Sequence, residues 1–406
     1  MGIRTKLNPL GGTTGTSELS GRIIHGDVTT WYLTNDGDLY GCGGNSAGQQ
    51  GSGNTTTITT FTKRASNVVQ AACCGSTSWY INDSNELYGC GDGASGQQGN
   101  NSFYSVNTFT QQNTAAAQIA CSNDTTWYII NNGDLYGCGW NGSGQQGSGN
   151  TTTVKIFAKR ASNVAQVVCS GNTTWYINTD GDLYGCGANG VGNQGSGNTT
   201  DVRTFTKRAS NVVQVACNDY TTWYIDINGD LYGCGYNGSG QQGSGNTTDV
   251  KTFTKRASNV KQVACSDYTT WYINNSNELY GCGSGSSSQQ GGNSQTNVKT
   301  FTQIASNVKQ VACSDYTTWY ITNDGKLYGT GDNSYGQQGS GNTTTVYDFT
   351  QRASNVSQVT CSIYTTWYAA NNGDLYGCGD NTYGQQGNGA SGSGNKVTTF
   401  TKRAVL

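Results

Sequence analysis

The sequence predicts an all-β fold, an eight-bladed β-propeller built from four-stranded repeats of 48 residues. The first observation is a strict period, because the dipeptide Trp-Tyr returns every 48 residues. Its tryptophans are Trp31, Trp79, Trp127, Trp175, Trp223, Trp271, Trp319 and Trp367. The tripeptide Leu-Tyr-Gly keeps the same period, and each copy carries strand signals throughout. Since so small a unit cannot bury enough apolar surface alone, the copies must pack on one another, and radial packing gives a propeller.

The fifth copy shows the elements in chain order. Val212–Ala216 is an alternating run that predicts a first strand, A. Thr221–Ile225 is β-branched and aromatic, which favours a second strand, B. Asn228-Gly229 is a strong hairpin signal, and Leu231–Gly235 is the return strand, C. A loop rich in Gly, Asn and Gln then leads to strand D at Val250–Thr254.

The two ends of the chain predict how the ring closes. The element Phe-Thr-Lys-Arg is missing at the start of the first copy, and its last occurrence lies beyond the last strand C; in full or altered form it begins at Phe61, Phe109, Phe157, Phe205, Phe253, Phe301, Phe349 and Phe400. Nothing like it precedes Trp31, where Gly21–His25 follows a stretch rich in Thr, Ser and Gly. We therefore expect the C-terminal strand to complete the first blade and close the ring. Residues 1–18 fall outside the pattern and are predicted to be an attachment segment, with the propeller at 19–406.

One copy reads Val-Lys-Gln-Val-Ala-Cys-Ser-Asp-Tyr-Thr-Thr-Trp-Tyr at 260–272. The copies continue with patterns such as Gly-Asp-Leu-Tyr-Gly-Cys-Gly and Asn-Gly-Ser-Gly-Gln-Gln-Gly. This order resembles the RCC1 (regulator of chromosome condensation) repeat over nearly the whole chain. The resemblance implies a β-propeller.

The chain also departs from that family's pattern. The best-known members have seven blades, whereas this sequence counts eight Trp-Tyr copies. Gln242 stands where the family usually has Leu, and Cys234 where an aromatic residue is common. The proline that the family has before strand A is absent. Since no copy carries a long insertion that could open a small GTPase, guanine-nucleotide exchange is not implied.

Composition excludes several classes of function. The net charge of −2 gives no general attraction to nucleic acid or to an anionic membrane. No apolar run is long enough for a membrane span, and the start lacks the apolar region of a secretory signal. We expect a protein made in the cytosol, without membrane insertion.

No enzyme, cofactor or metal site is predicted. Of the 15 cysteines, most recur once per copy at the end of strand A or within strand C. These two strands lie about 9–10 Å apart in a sheet, too far for a disulfide within a blade, although pairs between blades stay open. The cysteines are therefore interpreted as small apolar filler between blades. His25, the only histidine, occupies a cysteine position and is expected to have no partner.

Chain topology sorts the connections onto two faces. The D–A connections and B–C turns form one face, here called the charged face, which carries Lys-Arg pairs such as Lys63-Arg64 and hairpin acids such as Asp38. We expect these opposite charges to pair with each other; the alternative is a basic ring that grips a polyanion. The A–B turns and C–D loops form the other face, here called the variable face, because the copies differ most there.

Aromatic residues in the polar loops of the variable face are the candidate ligand-binding residues, because such rings stack on a sugar or a protein partner. Those in the C–D loops are Trp140, Tyr236, Tyr335 and Tyr383, and those in the A–B turns are Tyr220, Tyr268, Tyr316 and Tyr364.

Two functions remain open. The first is a non-enzymatic display module on a virion, such as a phage tail or fibre, or on a cell surface. It would recognise host glycan or protein, be anchored by a partner through residues 1–18, and form a homo-oligomer by analogy with fibres. The observations that suggest this function are the Thr-, Asn-, Gly- and Ser-rich composition and the aromatic residues of the variable face. The alternative is a cytoplasmic protein-interaction scaffold similar to RCC1-type proteins.

Overall fold

The structure, a computed structural model, describes residues 22–26, 28–292 and 295–403. The predicted attachment segment 1–18 lies outside these ranges. The described chain contains 32 strands and no helix, and the strands form eight antiparallel sheets of four. Each sheet is one blade, so the predicted all-β, eight-bladed propeller is confirmed.

Strand bounds follow the 48-residue period. Blades one to four contain β1 Arg22–His25, β2 Thr29–Leu33, β3 Leu39–Gly43, β4 Ile58–Ala65, β5 Val68–Cys74, β6 Thr77–Asn82, β7 Leu87–Gly91, β8 Val106–Asn113, β9 Ala116–Cys121, β10 Thr125–Ile130, β11 Leu135–Gly139, β12 Val154–Ala161, β13 Val164–Ser170, β14 Thr173–Asn178, β15 Leu183–Gly187 and β16 Val202–Ala209. Blades five to eight contain β17 Val212–Cys217, β18 Thr221–Asp226, β19 Leu231–Gly235, β20 Val250–Ala257, β21 Val260–Cys265, β22 Thr269–Asn274, β23 Leu279–Gly283, β24 Val298–Ala305, β25 Val308–Cys313, β26 Thr317–Thr322, β27 Leu327–Gly331, β28 Val346–Ala353, β29 Val356–Cys361, β30 Thr365–Ala370, β31 Leu375–Gly379 and β32 Val397–Arg403.

Each blade is a meander in which consecutive strands pair, as β17-β18-β19-β20 do in the fifth blade. The B–C hairpin there turns at Asn228-Gly229, where Gly229 has φ 76°, a value that glycine adopts at no steric cost. The carbonyl of Gly229 accepts a 2.8 Å hydrogen bond from the amide of Val260 in the next blade. The turn therefore ends one hairpin and also positions the first strand of the neighbour.

The hydrophobic core lies between blades. Trp223 is fully buried and belongs to a cluster with Val260 and Val263 of the next blade. Its ring also meets Phe301 of that blade edge-on, with centroids 6.0 Å apart. Gly233 faces Trp223 across the hairpin, and a Cβ there would lie 2.6 Å from two atoms of the indole. The glycine of Leu-Tyr-Gly thus makes room for the tryptophan of Trp-Tyr, which explains why the two motifs share one period.

Polar side chains add a second tie between the inner strands. The Gln70 amide donates to the carbonyl of Ile119 in the next blade and accepts from the Ile119 amide, both at 3.3 Å. Gln310 makes the same pair with Val359. These side chains bridge first strands that do not pair directly with each other.

The prediction that the C-terminal strand completes the first blade is wrong. β32 pairs with β31 in the eighth blade, and the first blade is complete with β1, β2, β3 and β4. The short strand β1 itself supplies the inner position, because Ile23 and Ile24 are buried there. Nothing is therefore missing from the first blade that the C-terminal strand could supply.

The ring closes because the eighth blade packs on the first in the same way as other neighbouring blades pack on each other. Phe61 lies edge-on to Trp367 at 5.8 Å, and the Tyr32 hydroxyl donates to the carbonyl of Gly373 at 3.0 Å. The Gly389 amide donates to the carbonyl of Thr59 at 2.8 Å.

The outer strands are partly covered by loops. In the fourth blade the C–D loop reaches over the next blade, and Ser196 forms an antiparallel bridge with Thr252 of β20. Equivalent bridges reach the outer strands of six other blades in the described chain, so these strands do not present fully open ladders for strand addition. No helix that could cross a membrane occurs in the described part of the chain.

Replacing the interblade tryptophan is expected to destabilise the protein strongly. Trp223→Ala removes a fully buried ring and should lower the free energy of unfolding by about 4 kcal/mol. Trp140→Ala is the matched control, because Trp140 is 44% exposed and should cost less than about 1 kcal/mol. Urea unfolding followed by tryptophan fluorescence measures both, and equal costs would contradict a core between blades.

The seam of the ring is expected to be as strong as the other interfaces. Phe61 meets Trp367 at 5.8 Å across the seam, and Phe253 meets Trp175 at the same distance between the fourth and fifth blades. Phe61→Ala and Phe253→Ala should therefore each cost about 3 kcal/mol in urea unfolding. A Phe61→Ala cost near zero would show that the ring is open between the eighth and first blades.

Candidate functional site

On the charged face, five of the eight blades carry an ion pair between a strand D lysine and an aspartate of the B–C turn. In the fifth blade the Lys255 ammonium lies 2.6 Å from the Asp230 carboxylate at the B–C turn. The same pair recurs, at 2.7–2.8 Å, as Lys63–Asp38, Lys159–Asp134, Lys207–Asp182 and Lys402–Asp374. Lys255 holds the pKa of the Asp230 carboxyl below its usual range by its hydrogen bond. The predicted mutual pairing is confirmed.

The arginines beside these lysines are half-buried or buried. Arg64 is half-buried, and burial lowers the pKa of its guanidinium. Arg403 is buried and donates to the Gln386 side chain at 3.4 Å. These arginines are therefore placed to support blade packing, and they do not form the basic ring that a polyanion would need.

The strand C cysteines lie between blades as the sequence predicted. Cys234 is fully buried, and its thiol donates to the carbonyl of Asn193 in the preceding blade at 3.4 Å. In the seventh blade the Thr330 hydroxyl takes this place and donates to the Ser288 carbonyl at 3.0 Å. Burial raises the pKa of the Cys234 thiol, which disfavours the nucleophilic thiolate. None of the 15 cysteines, all of which lie in the described ranges, forms a disulfide.

The expectation that His25 has no partner is wrong. Its Nδ1 lies 3.0 Å from the carbonyl of Thr29, so this nitrogen carries the proton and donates it. Nε2 forms a hydrogen bond with the hydroxyl of Thr365 in the eighth blade. The imidazole is thus used in the seam of the ring, a contact that the repeat position alone could not show.

The Gly-Gln-Gln-Gly loops are fixed platforms on the variable face. Gln241 accepts from the Ser239 amide at 3.0 Å and donates to the Asp267 carbonyl of the next blade at 2.9 Å. Gln242 is buried and donates to the Cys234 carbonyl at 2.9 Å. Because these amides hold the loop backbone, side chains that leave the loop start from fixed positions.

The predicted binding residues lie at different depths in these loops. Trp140, Tyr220, Tyr364 and Tyr383 are 40–48% exposed. Tyr236, Tyr268, Tyr316 and Tyr335 are half-buried. The Trp140 ring lies over Gly142, where a Cβ would be only 2.6 Å from the indole. Because position 142 is a glycine, the Trp140 side chain can lie flat on its own loop.

The structure brings four of the eight predicted residues into two pairs. Tyr220 and Tyr236 of the fifth blade lie with their rings 6.1 Å apart. Tyr335 of the seventh blade and Tyr364 of the eighth lie 4.5 Å apart. Among the described residues, no aromatic pair involves Trp140 or Tyr383, so the eight residues do not form one continuous patch.

Sequence reasoning missed two exposed aromatic residues in the second blade. Phe103 and Tyr104 are 50% and 83% exposed in its C–D loop. The signal was present, because both stand where the first copy has Thr55 and Thr56. The Lys155 ammonium of the third blade lies 5.0 Å from the centre of the Phe103 ring.

A row of carboxylates on the A–B turns was also missed. The Asp219 carboxylate accepts from the Ser170 hydroxyl of the preceding blade at 2.9 Å. The Asp315 carboxylate accepts from the Asp267 amide at 3.2 Å. Burial, together with the charges of Asp315 and Asp219, raises the pKa of Asp267 to about 7. The recurring Asp-Tyr pairs were visible in the sequence. The contacts between the aspartates of neighbouring copies were not, because these copies come together only in the folded ring.

The Regulator of chromosome condensation (RCC1) repeat model matches residues 212–241 and 308–337. Human WBSCR16 is similar in structure, with a TM-score of 0.64 and 17% identity over 80% of this chain and 96% of that one. Prp20p of Saccharomyces cerevisiae has a TM-score of 0.62 and 14% identity over 80% of this chain and 89% of that one. Yeast RCC1 (Prp20) bound to Kap60 has a TM-score of 0.63 and 14% identity over 86% of this chain and 92% of that one.

No curated protein matches the chain by sequence. The solved structures are too distant in sequence to show more than the fold, and the repeat model matches only two segments of the chain. The resemblance to RCC1 repeats seen in the sequence is confirmed by these two segments, and the fold is similar to that of RCC1-like β-propellers.

Proposed function

We propose that the chain is a non-enzymatic scaffold that binds a protein partner through its variable face. The observation that carries the proposal is the contrast between the two faces. Charges on the charged face are used in repeated Lys–Asp ion pairs. The variable face instead exposes aromatic side chains such as Trp140 and Tyr383 from hydrogen-bonded loops.

Rings held in this way suit a protein interface. Tryptophan and tyrosine are the residues that most often dominate protein binding, because they bury a large area at a small cost in side-chain entropy. Loops that are fixed before binding also reduce the ordering cost of association. The four most exposed of the predicted rings therefore offer separate anchors on one face.

The candidate reactive groups have structural uses in the described chain. His25 joins the eighth blade to the first, and buried thiols such as Cys234 donate to neighbouring blades. These contacts favour a scaffold over an enzyme that would use the same groups as base or nucleophile.

The structural relatives favour a protein partner by analogy of fold. Prp20p binds Gsp1p and histones, and yeast RCC1 (Prp20) binds Kap60. Because the partners named for these relatives are proteins, the scaffold similar to RCC1-type proteins becomes the main proposal in place of the display role on a virion or cell surface.

Removing the exposed rings is expected to abolish partner binding without unfolding the protein. A variant with Trp140→Ser, Tyr220→Ser, Tyr364→Ser and Tyr383→Ser should bind an identified partner at least about 100-fold more weakly. Cross-linking with mass spectrometry identifies the partner, and biolayer interferometry on purified proteins measures Kd.

Ile227→Ser is the matched control, because Ile227 is 70% exposed on a B–C turn of the charged face. It should leave Kd unchanged. Loss of binding in the control but not in the fourfold variant would place the interface on the charged face. A glycan-array signal that the fourfold variant loses, with no protein partner, would replace the proposal with glycan recognition.

A further inference from the structure

Four tyrosines form an aromatic crescent at one end of the inner strands. Tyr220, Tyr268, Tyr316 and Tyr364 follow β17, β21, β25 and β29, one in each of four consecutive blades. The other four blades have Val28, Ser76, Asp124 and Asn172 at this position. Tyr236 and Tyr335 extend the crescent through their ring contacts with Tyr220 and Tyr364. Half of the ring is thus chemically different from the other half.

Carboxylates accompany the rings along this arc. Asp219, Asp267 and Asp315 directly precede the first three tyrosines of the crescent. The Asp267 amide is 3.2 Å from the Asp315 carboxylate, so the turns of adjacent blades touch. Among the described residues, neither Asp219 nor Asp267 forms an ion pair with lysine or arginine, in contrast to the hairpin acids of the charged face.

The arrangement favours several cationic groups over one metal ion. In the described ranges no three His, Cys, Asp or Glu side chains are placed to hold a metal ion together, so the carboxylates are spread along the rim. A tyrosine ring of the crescent also already has a cation over its face. The Lys396 ammonium lies 4.7 Å from the centre of the Tyr335 ring and donates to the Ser334 carbonyl at 3.0 Å.

We propose that the aromatic crescent binds a lysine- and arginine-containing segment of the protein partner. Its cationic side chains lie against the tyrosine rings and pair with the carboxylates of Asp219 and Asp267. Ring faces attract cations and carboxylates pair with them, so both features select the same chemistry. The inference rests on the proposed function and adds the chemistry of the partner.

Removing two charges from the crescent is the test. The probe is a blocked, fluorescently labelled peptide that alternates glycine and lysine, and a peptide with glutamine for lysine shows the background. The variant Asp219→Asn with Asp267→Asn should weaken binding of the lysine peptide at least about fivefold at pH 8. Fluorescence anisotropy at low salt measures the affinity.

The control removes the same charge from the same face. Asp201 and Asp249 accept from the amides of Asn189 and Asn237 at 2.9 Å in C–D loops. Asp201→Asn with Asp249→Asn should therefore leave the affinity within about twofold of wild type. Equal weakening by both variants would mean general electrostatic attraction and would overturn the proposal.

The affinity of the lysine peptide is expected to rise between pH 6 and pH 8. The raised pKa of Asp267, about 7, leaves this carboxyl largely protonated at pH 6 and charged at pH 8. The titratable groups facing it are Asp219 and Asp315, with Tyr268 and the Cys265 thiol beside it. Asp267→Asn should remove most of this rise. Its melting temperature at pH 8 should not fall, because the change removes repulsion between like charges.

The two proposals fail differently. If the lysine peptide binds no better than the glutamine peptide, the crescent does not recognise cations, although a partner lost in the fourfold aromatic variant would still support the scaffold. If no partner depends on the variable face, the proposed function fails as well. Binding of the lysine peptide that the Asp219→Asn, Asp267→Asn variant keeps in full would also overturn the inference.

Discussion

The structure depends on the burial of one tryptophan per blade against the next blade. Trp223 has Gly233 across its hairpin and lies among Val260, Val263 and Phe301 of its neighbour. A blade alone would leave this indole exposed on one side, so no blade is stable without a neighbour. A ring satisfies every blade at once, whereas an open row would leave one such surface exposed. The interface between blades, more than the sheet within a blade, is therefore the unit of stability.

Polar groups make this interface specific in register. The Gln70 side chain pairs with both backbone groups of Ile119, and the Cys234 thiol meets the Asn193 carbonyl. A shift of one blade against the next would leave these half-buried and buried groups without partners, which is costly. The Gln241 side-chain amide makes a similar contact between blades on the variable face, because it joins its own C–D loop to the A–B turn of the next blade. The rigidity of the core therefore reaches the loops that present the candidate binding residues.

The sequence predicted the blade number, the strand order and the two faces, because all three follow from period and hairpin signals within one copy. The sequence-based prediction was wrong about ring closure. Because the copies are nearly identical, the chain can be divided into blades in two frames, in which strand D comes either from the same copy or from the preceding one. The strand pairings decide the frame, because β4 pairs with β3 of its own copy and β32 pairs with β31. The partner of His25 and the neighbours of Asp267 were missed for a related reason. These contacts join different blades, and spacing within a copy carries no information about distances across an interface.

A ring of identical blades would offer eight equal sites and could not orient a single asymmetric partner. This chain removes that equivalence chiefly on one face. Tyrosine and aspartate occupy the A–B turns on one arc, whereas Trp140, Phe103 and Tyr104 mark the second and third blades. The charged face repeats the same ion pair in five blades. Because a loop substitution on the variable face leaves the tryptophan interface untouched, each blade can differ there at little cost in stability. The fold thereby separates the residues that hold the ring from those that distinguish one blade from another.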